Sequence, residues 1–181
     1  MTGVIEILGI EVPAAGPVFL AALAVHVLAG LISVVTGGLA ATARKRPGRH
    51  PRWGTRYLQG LSIVFATAVV MSVLRWEHNR HLFGIAVVAF GLGLVGRWTH
   101  RHQTRRWPLW HGITMGGSYI ALLTGFYVDN GEQLPLWDRL PHLAYWTVPA
   151  AVGIPLIWLA LARNDAFSRS RRRRALGSPR R

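Results

Sequence analysis

Val18 to Ala43 reads VFLAALAVHVLAGLISVVTGGLAATA, and His26 is its only ionisable side chain. A spanning helix needs about 20 predominantly apolar residues, so this run is long enough to cross a bilayer with some tilt. A titratable group in hydrocarbon is costly, which makes His26 a functional-site residue by default. Working outward, four more apolar runs follow: Leu58–Leu74, Leu82–Gly96, Trp107–Val128 and Leu143–Ala162. The third of the five is short and must recruit His81, Arg97 and Trp98 as interfacial flanks. Of the 181 residues 51% are hydrophobic, and they gather in these runs rather than at the amphipathic periods of a water-soluble fold. The expected fold is all-α, a bundle of five transmembrane helices over residues 17–162. A short interfacial segment (1–16) precedes it, and a basic, disordered tail (163–181) follows.

Charge sets the expected orientation. Arg44, Lys45, Arg46, Arg49, Arg52 and Arg56 lie between runs one and two, and Arg97, Arg101, Arg105 and Arg106 between runs three and four. Eight more arginines follow run five, so 18 of the 21 basic residues alternate onto one side. The positive-inside rule makes that side cytoplasmic. Glu6, Glu11, Glu77, Asp129, Glu132 and Asp138 fall on the other side, leaving only Asp165 of the seven acids inside. The N-terminus is then outside and the C-terminus cytoplasmic, in a bacterial plasma membrane. The N-terminal MTGVIEILGIEVPAAG has no basic n-region, unlike a cleaved signal peptide. The net charge of +14 does not indicate nucleic-acid binding, which would need a folded basic face with base-stacking aromatics. The tail SRSRRRRALGSPRR suits attraction to anionic lipid instead. Partner subunits of a membrane complex, or further copies of the chain, are the other expected partners.

The eight histidines divide by depth. His78, His81, His142 and, about eight residues into its run, His26 belong to the outer half; His50, His100, His102 and His111 belong to the inner half. His26, Gly30, Ser33 and Gly37 share one helical face, as do His111, Thr114, Ser118, Ala121 and Gly125. Small and polar residues face protein in a membrane bundle, so both stripes should point inward. Runs one and four are therefore expected to line a common interior. At ~1.5 Å per residue His26 and His111 differ in depth by ~12 Å in a ~30 Å core, too much for one haem to join them directly. His26 would pair with an outer histidine and His111 with an inner one. Neutral imidazole suits haem iron, copper and zinc alike. The plain alternative for each histidine is a hydrogen bond across to Ser, Thr or a carbonyl of a neighbouring helix.

Other chemistry is sparse. With no cysteine, disulfides, thiolate ligands and cysteine nucleophiles are excluded. No carboxylate lies inside a run, against a proton-coupled transporter built on intramembrane acid relays. No nucleophile elbow, phosphate-binding glycine loop or HExxH motif is present. Asp138 and His142 stand four apart, a spacing at which a carboxylate can orient an imidazole, with Pro141 between them. Pro149 and Pro155 should kink the last helix, and most of the eight tryptophans fall near run ends, as in an aromatic belt.

Two stretches carry a family resemblance: HVLAGLISVVTGGLAATARKRPGRHPRWGTRY, from His26 to Tyr57, and HGITMGGSYIALLTGFYVDN, from His111 to Asn130. The chain resembles a widespread bacterial family of small polytopic membrane proteins known as a domain of unknown function. In that family a first-span histidine is followed by a basic loop Lys-Gly-x-x-x-His-Arg-x-x-Gly-x-x-Tyr and a later His-x-x-x-Met-x-x-Ser-Tyr segment. Lys45, His50, Gly54 and Tyr57 match the loop, while Arg46 and Pro51 depart from it. The resemblance spans about residues 20–160. It implies that His26, His50, His111, Ser118 and Tyr119 are the site positions, and it carries no activity with it. Together these readings lead to the expectation of a histidine-held cofactor, b-type haem ahead of a metal ion at His26 and His111, in membrane electron transfer. The alternatives are an accessory subunit of a larger membrane complex and, with less support, a small-solute transporter.

Overall fold

The computed structural model of the chain describes residues 4–7, 10–13, 16–44, 48–103, 106–135 and 137–176. From Gly16 onward these residues are helical apart from short connections, with five long helices: α1 (Gly16–Thr42), α2 (Arg49–Leu74), α3 (Trp76–His102), α4 (Trp107–Asn130) and α5 (His142–Leu176). A 3-10 turn, Gly131–Gln133, follows α4. Ahead of α1, β1 (Val4–Ile7) and β2 (Ile10–Pro13) pair antiparallel, with Glu6 opposite Glu11. This hairpin was not expected of the N-terminal segment. Its signal is the alternation within VIEI and IEVP, two short runs that lie close together in the sequence.

Four helices are long and apolar enough to cross a membrane: α1, α2, α3 and residues His142–Arg163 of α5. That is the composition of a multi-pass membrane protein. The short third run is among them, because α3 continues as helix through both flanks to a length of 27 residues. The helix outside this group is α4, 24 residues long, whose apolar content is diluted by His111, Gly112, Thr114, Gly116, Gly117 and Ser118. Large apolar side chains such as Leu28, Val35, Val73, Ile154 and Trp158 are exposed, as a lipid-facing surface requires and a water-facing one disfavours.

The helix ends follow local chemistry. Pro17 and Pro108 sit in the first turns of α1 and α4, where the missing N–H costs nothing. Before α2, Gly48 has φ of +115°, a conformation costly for any residue with a Cβ. Only Arg75 separates α2 from α3, and Asn79 Nδ2 donates to the Met71 carbonyl at 3.2 Å to hold the corner. Pro149 and Pro155 both lie within the continuous α5. In the basic tail, helix α5 runs through Leu176, in keeping with the high helix propensity of arginine and alanine. Residues 177–181 lie outside the described ones.

The chain divides into two compact units, Met1–Phe90 and Gly91–Arg181. In the first, α1 packs along α2. His26 meets Thr67 and Ser33 meets Gly60, a seven-residue step along both antiparallel helices. A Cβ at Gly60 would collide with the Ser33 hydroxyl, so this crossing is set by glycine. Phe65 and Phe90 stack at 4.7 Å between centroids, tying α2 to the middle of α3. In the second unit α4 packs along α5. Leu161 fits over Gly112, Ile157 over Gly116, and Ile120 of α4 over Gly153 of α5. Each pairing is four residues from the last on both helices, which is ridge-into-groove packing with small residues as the grooves.

Candidate functional site

The polar side chains buried by these helices form two separate groups. In the first unit a seam runs along α1 and α2. Ser33 is wholly buried and its hydroxyl donates back to the Ala29 carbonyl at 2.7 Å; Thr36 does the same to Ile32 at 2.7 Å. His26 Nδ1 lies 2.9 Å from Thr67 Oγ1. The single hydroxyl proton of Thr67 is directed at the carbonyls of Ile63 (2.8 Å) and Val64 (3.0 Å). With that proton given to the backbone, Thr67 Oγ1 accepts from His26 Nδ1–H.

His50 was placed in a loop by its sequence context but belongs to the first turn of α2, since the helix begins at Arg49. Its Nδ1–H donates to the Ala40 carbonyl at 2.9 Å and closes the α1–α2 corner. Ala40 stands fourteen residues beyond His26, ~21 Å along α1 at the helical rise. His26 and His50 therefore cannot share one metal centre. Tyr57, quoted only as part of a loop motif, is almost fully buried at 2% exposure.

The second group gathers where α3 ends and α4 begins. His111 Nδ1–H donates to the Gly96 carbonyl at 2.8 Å, which also accepts the Thr99 hydroxyl at 2.9 Å. The His100 ring stands 5.4 Å from the His111 ring, tilted by 50°. Trp107 meets His100 edge-on at 5.1 Å and His111 at 6.2 Å. His100 and His102, read as loop residues, are in the last turn of α3. There His102 Nδ1–H donates to the Trp98 carbonyl at 2.9 Å and its ring packs on Trp98. Thr114 and Ser118 are buried further along α4. Ser118 is two turns from His111 on nearly the same face, and Tyr119 is turned aside by about a quarter of the circumference.

Within the first unit the structure separates His26 from His50, and His111 belongs to the second unit. It places His100 beside His111 and gives His26 a threonine as its partner. Neither Thr67 nor Trp107 was singled out from the sequence. Trp107 had a signal in its four-residue spacing from His111, whereas Thr67 becomes visible only through the register of α1 on α2. At the other end of α4, Tyr127 and Trp137 stack at 3.9 Å, and the Tyr145 hydroxyl donates to the Trp137 carbonyl at 3.2 Å. His142 packs edge-on against Tyr145, and no ion pair joins it to Asp138 among the described residues. Among those residues no three His, Cys, Asp or Glu side chains converge as metal ligands. Comparison with protein-family models, with curated proteins and with solved structures gives no match for the chain.

Proposed function

We propose that this protein is a five-span bundle, N-terminus outside and C-terminus cytoplasmic, that holds a redox-active transition metal at His100 and His111 for membrane electron transfer. The observation that carries this reading is the pair of imidazoles with the His111 tautomer fixed by the Gly96 carbonyl. A ligating histidine needs its other nitrogen oriented by an oxygen in this way. The ring spacing also supports one class of metal in this reading. With metal–nitrogen bonds of ~2.0–2.1 Å, two imidazoles on opposite sides of one metal place their centroids roughly 6.4 Å apart, and at a tetrahedral angle roughly 5.2 Å. The spacing of 5.4 Å is near the second value. It favours a single copper- or zinc-class ion, completed by exchangeable ligands, over the b-type haem favoured by the sequence; redox work selects copper of the two.

Elemental analysis and an absorbance spectrum of the purified protein test this. Stoichiometric copper that is lost in both His100→Ala and His111→Ala is the expected result. A Soret band would return the reading to haem. The absence of a Soret band together with the absence of stoichiometric iron, copper and zinc would overturn both.

A second reading, an accessory subunit whose histidines are structural, is favoured by the His26–Thr67 and His50–Ala40 bonds. Both tie α1 to α2. On that reading, co-purification with stoichiometric partners in mild detergent is expected, while a monodisperse, metal-free monomer counts against it.

A further inference from the structure

The first two turns of α2 carry a charge pattern that neither reading uses. Arg49, Arg52 and Arg56 are exposed, and their offsets of three and seven place them within about 60° of one another over ~10 Å of helix. The same face continues downward as Ile63, Val70 and Leu74, exposed by 46%, 40% and 49%. The opposite side is fixed against rotation, because Tyr57, Leu61 and Val64 are buried and His50 bonds to Ala40. Trp53 borders the stripe, with the Arg56 guanidinium 4.9 Å over its ring. The sequence holds no acid between Glu11 and Glu77, and the three arginines make no ion pair among the described residues.

We propose that this face binds an anionic phospholipid, its phosphate held by Arg49, Arg52 and Arg56 and its acyl chains laid along Ile63, Val70 and Leu74. Guanidinium forks match phosphate oxygens in pairs, and three without counter-charges select against a zwitterionic headgroup that brings its own cation. The apolar strip below them is what separates a lipid from a free phosphate, which has nothing to place there. The site is distinct from the basic tail and rests only on α2 meeting lipid.

Native mass spectrometry of the full chain in neutral detergent tests it, titrating dioleoylphosphatidylglycerol against dioleoylphosphatidylcholine. A preference for the anionic lipid on the order of a hundredfold is expected. It should fall by roughly fivefold for each arginine removed, so that R49Q/R52Q/R56Q has almost none. R171Q/R172Q/R173Q, with the same net charge, should retain it. Arg52→Gln alone leaves two guanidinium groups and guards against a misfolded triple variant. An unchanged affinity in this single variant overturns the site. So does equal loss in the tail variant, the absence of any preference, or displacement of the lipid by millimolar inorganic phosphate.

Discussion

At the scale of the residue, His26 shows how an apolar segment disposes of a polar ring. Its Nδ1 is paired with the Thr67 hydroxyl oxygen, so the imidazole bridges two helices. Hydrogen bonds between membrane helices contribute about 0.6 kcal/mol on average and up to ~1.7. Thr67→Val, which removes the acceptor and keeps the shape, should lower the melting temperature by about 2–4 °C. A double-mutant cycle with His26→Ala should return a coupling energy of about 0.6–1.7 kcal/mol; additive effects would show that the bond contributes nothing. The identity of His26 as an inward-facing residue was legible in its spacing from Ser33 and Gly37. Thr67 was not, since a threonine in an apolar helix usually bonds its own backbone, and Thr67 does that too. Likewise His100 was not among the site positions named from the sequence, and only the packing of α4 on the end of α3 shows it beside His111.

At the scale of the element, the α4–α5 contact is set by reciprocal fits between glycine and branched side chains. A side chain at Gly153 would meet Ile120 at the centre of the contact, whereas Gly84 has open space around it. Gly153→Val should therefore cost about 1–3 kcal/mol by overpacking, and Gly84→Val should leave the melting temperature nearly unchanged. Gly112→Ala is the milder case, because the nearest atom, Leu161 Cδ2 at 2.9 Å, is the movable end of a side chain. Equal melting temperatures for Gly153→Val and Gly84→Val would overturn this packing. The apolar runs match the helices to within a few residues at most ends, but α2, α3 and α5 extend well past their runs. Arginine, histidine and tryptophan break a hydropathy run without breaking a helix, which is why Arg49–Tyr57 and Arg97–His102 read as loops. The N-terminal hairpin was missed because two four-residue strands carry too little periodicity to stand out beside a 26-residue apolar run.

At the scale of the whole molecule, the proposed orientation turns on the number of crossings, since five put the chain ends on opposite sides and four put them on the same side. The chain contains no cysteine, so single cysteines introduced at Thr2 and Ser178 report their sides directly. An impermeant thiol reagent applied to intact cells should label the first and not the second; labelling of both would reduce the crossings to an even number. Charge alternation carries the expected orientation, whereas the count hangs on α4, which combines the length of a span with a composition rich in glycine, hydroxyls and imidazole. That composition has a consequence for biogenesis. A helix too polar to leave the translocon unaided must wait for a companion, and the glycine face of α4 is fitted to α5. Chains ending at Asn130 should leave α4 accessible to proteases on the ribosomal side, while chains extended through Arg163 protect it, so that the two helices enter the bilayer as one hairpin.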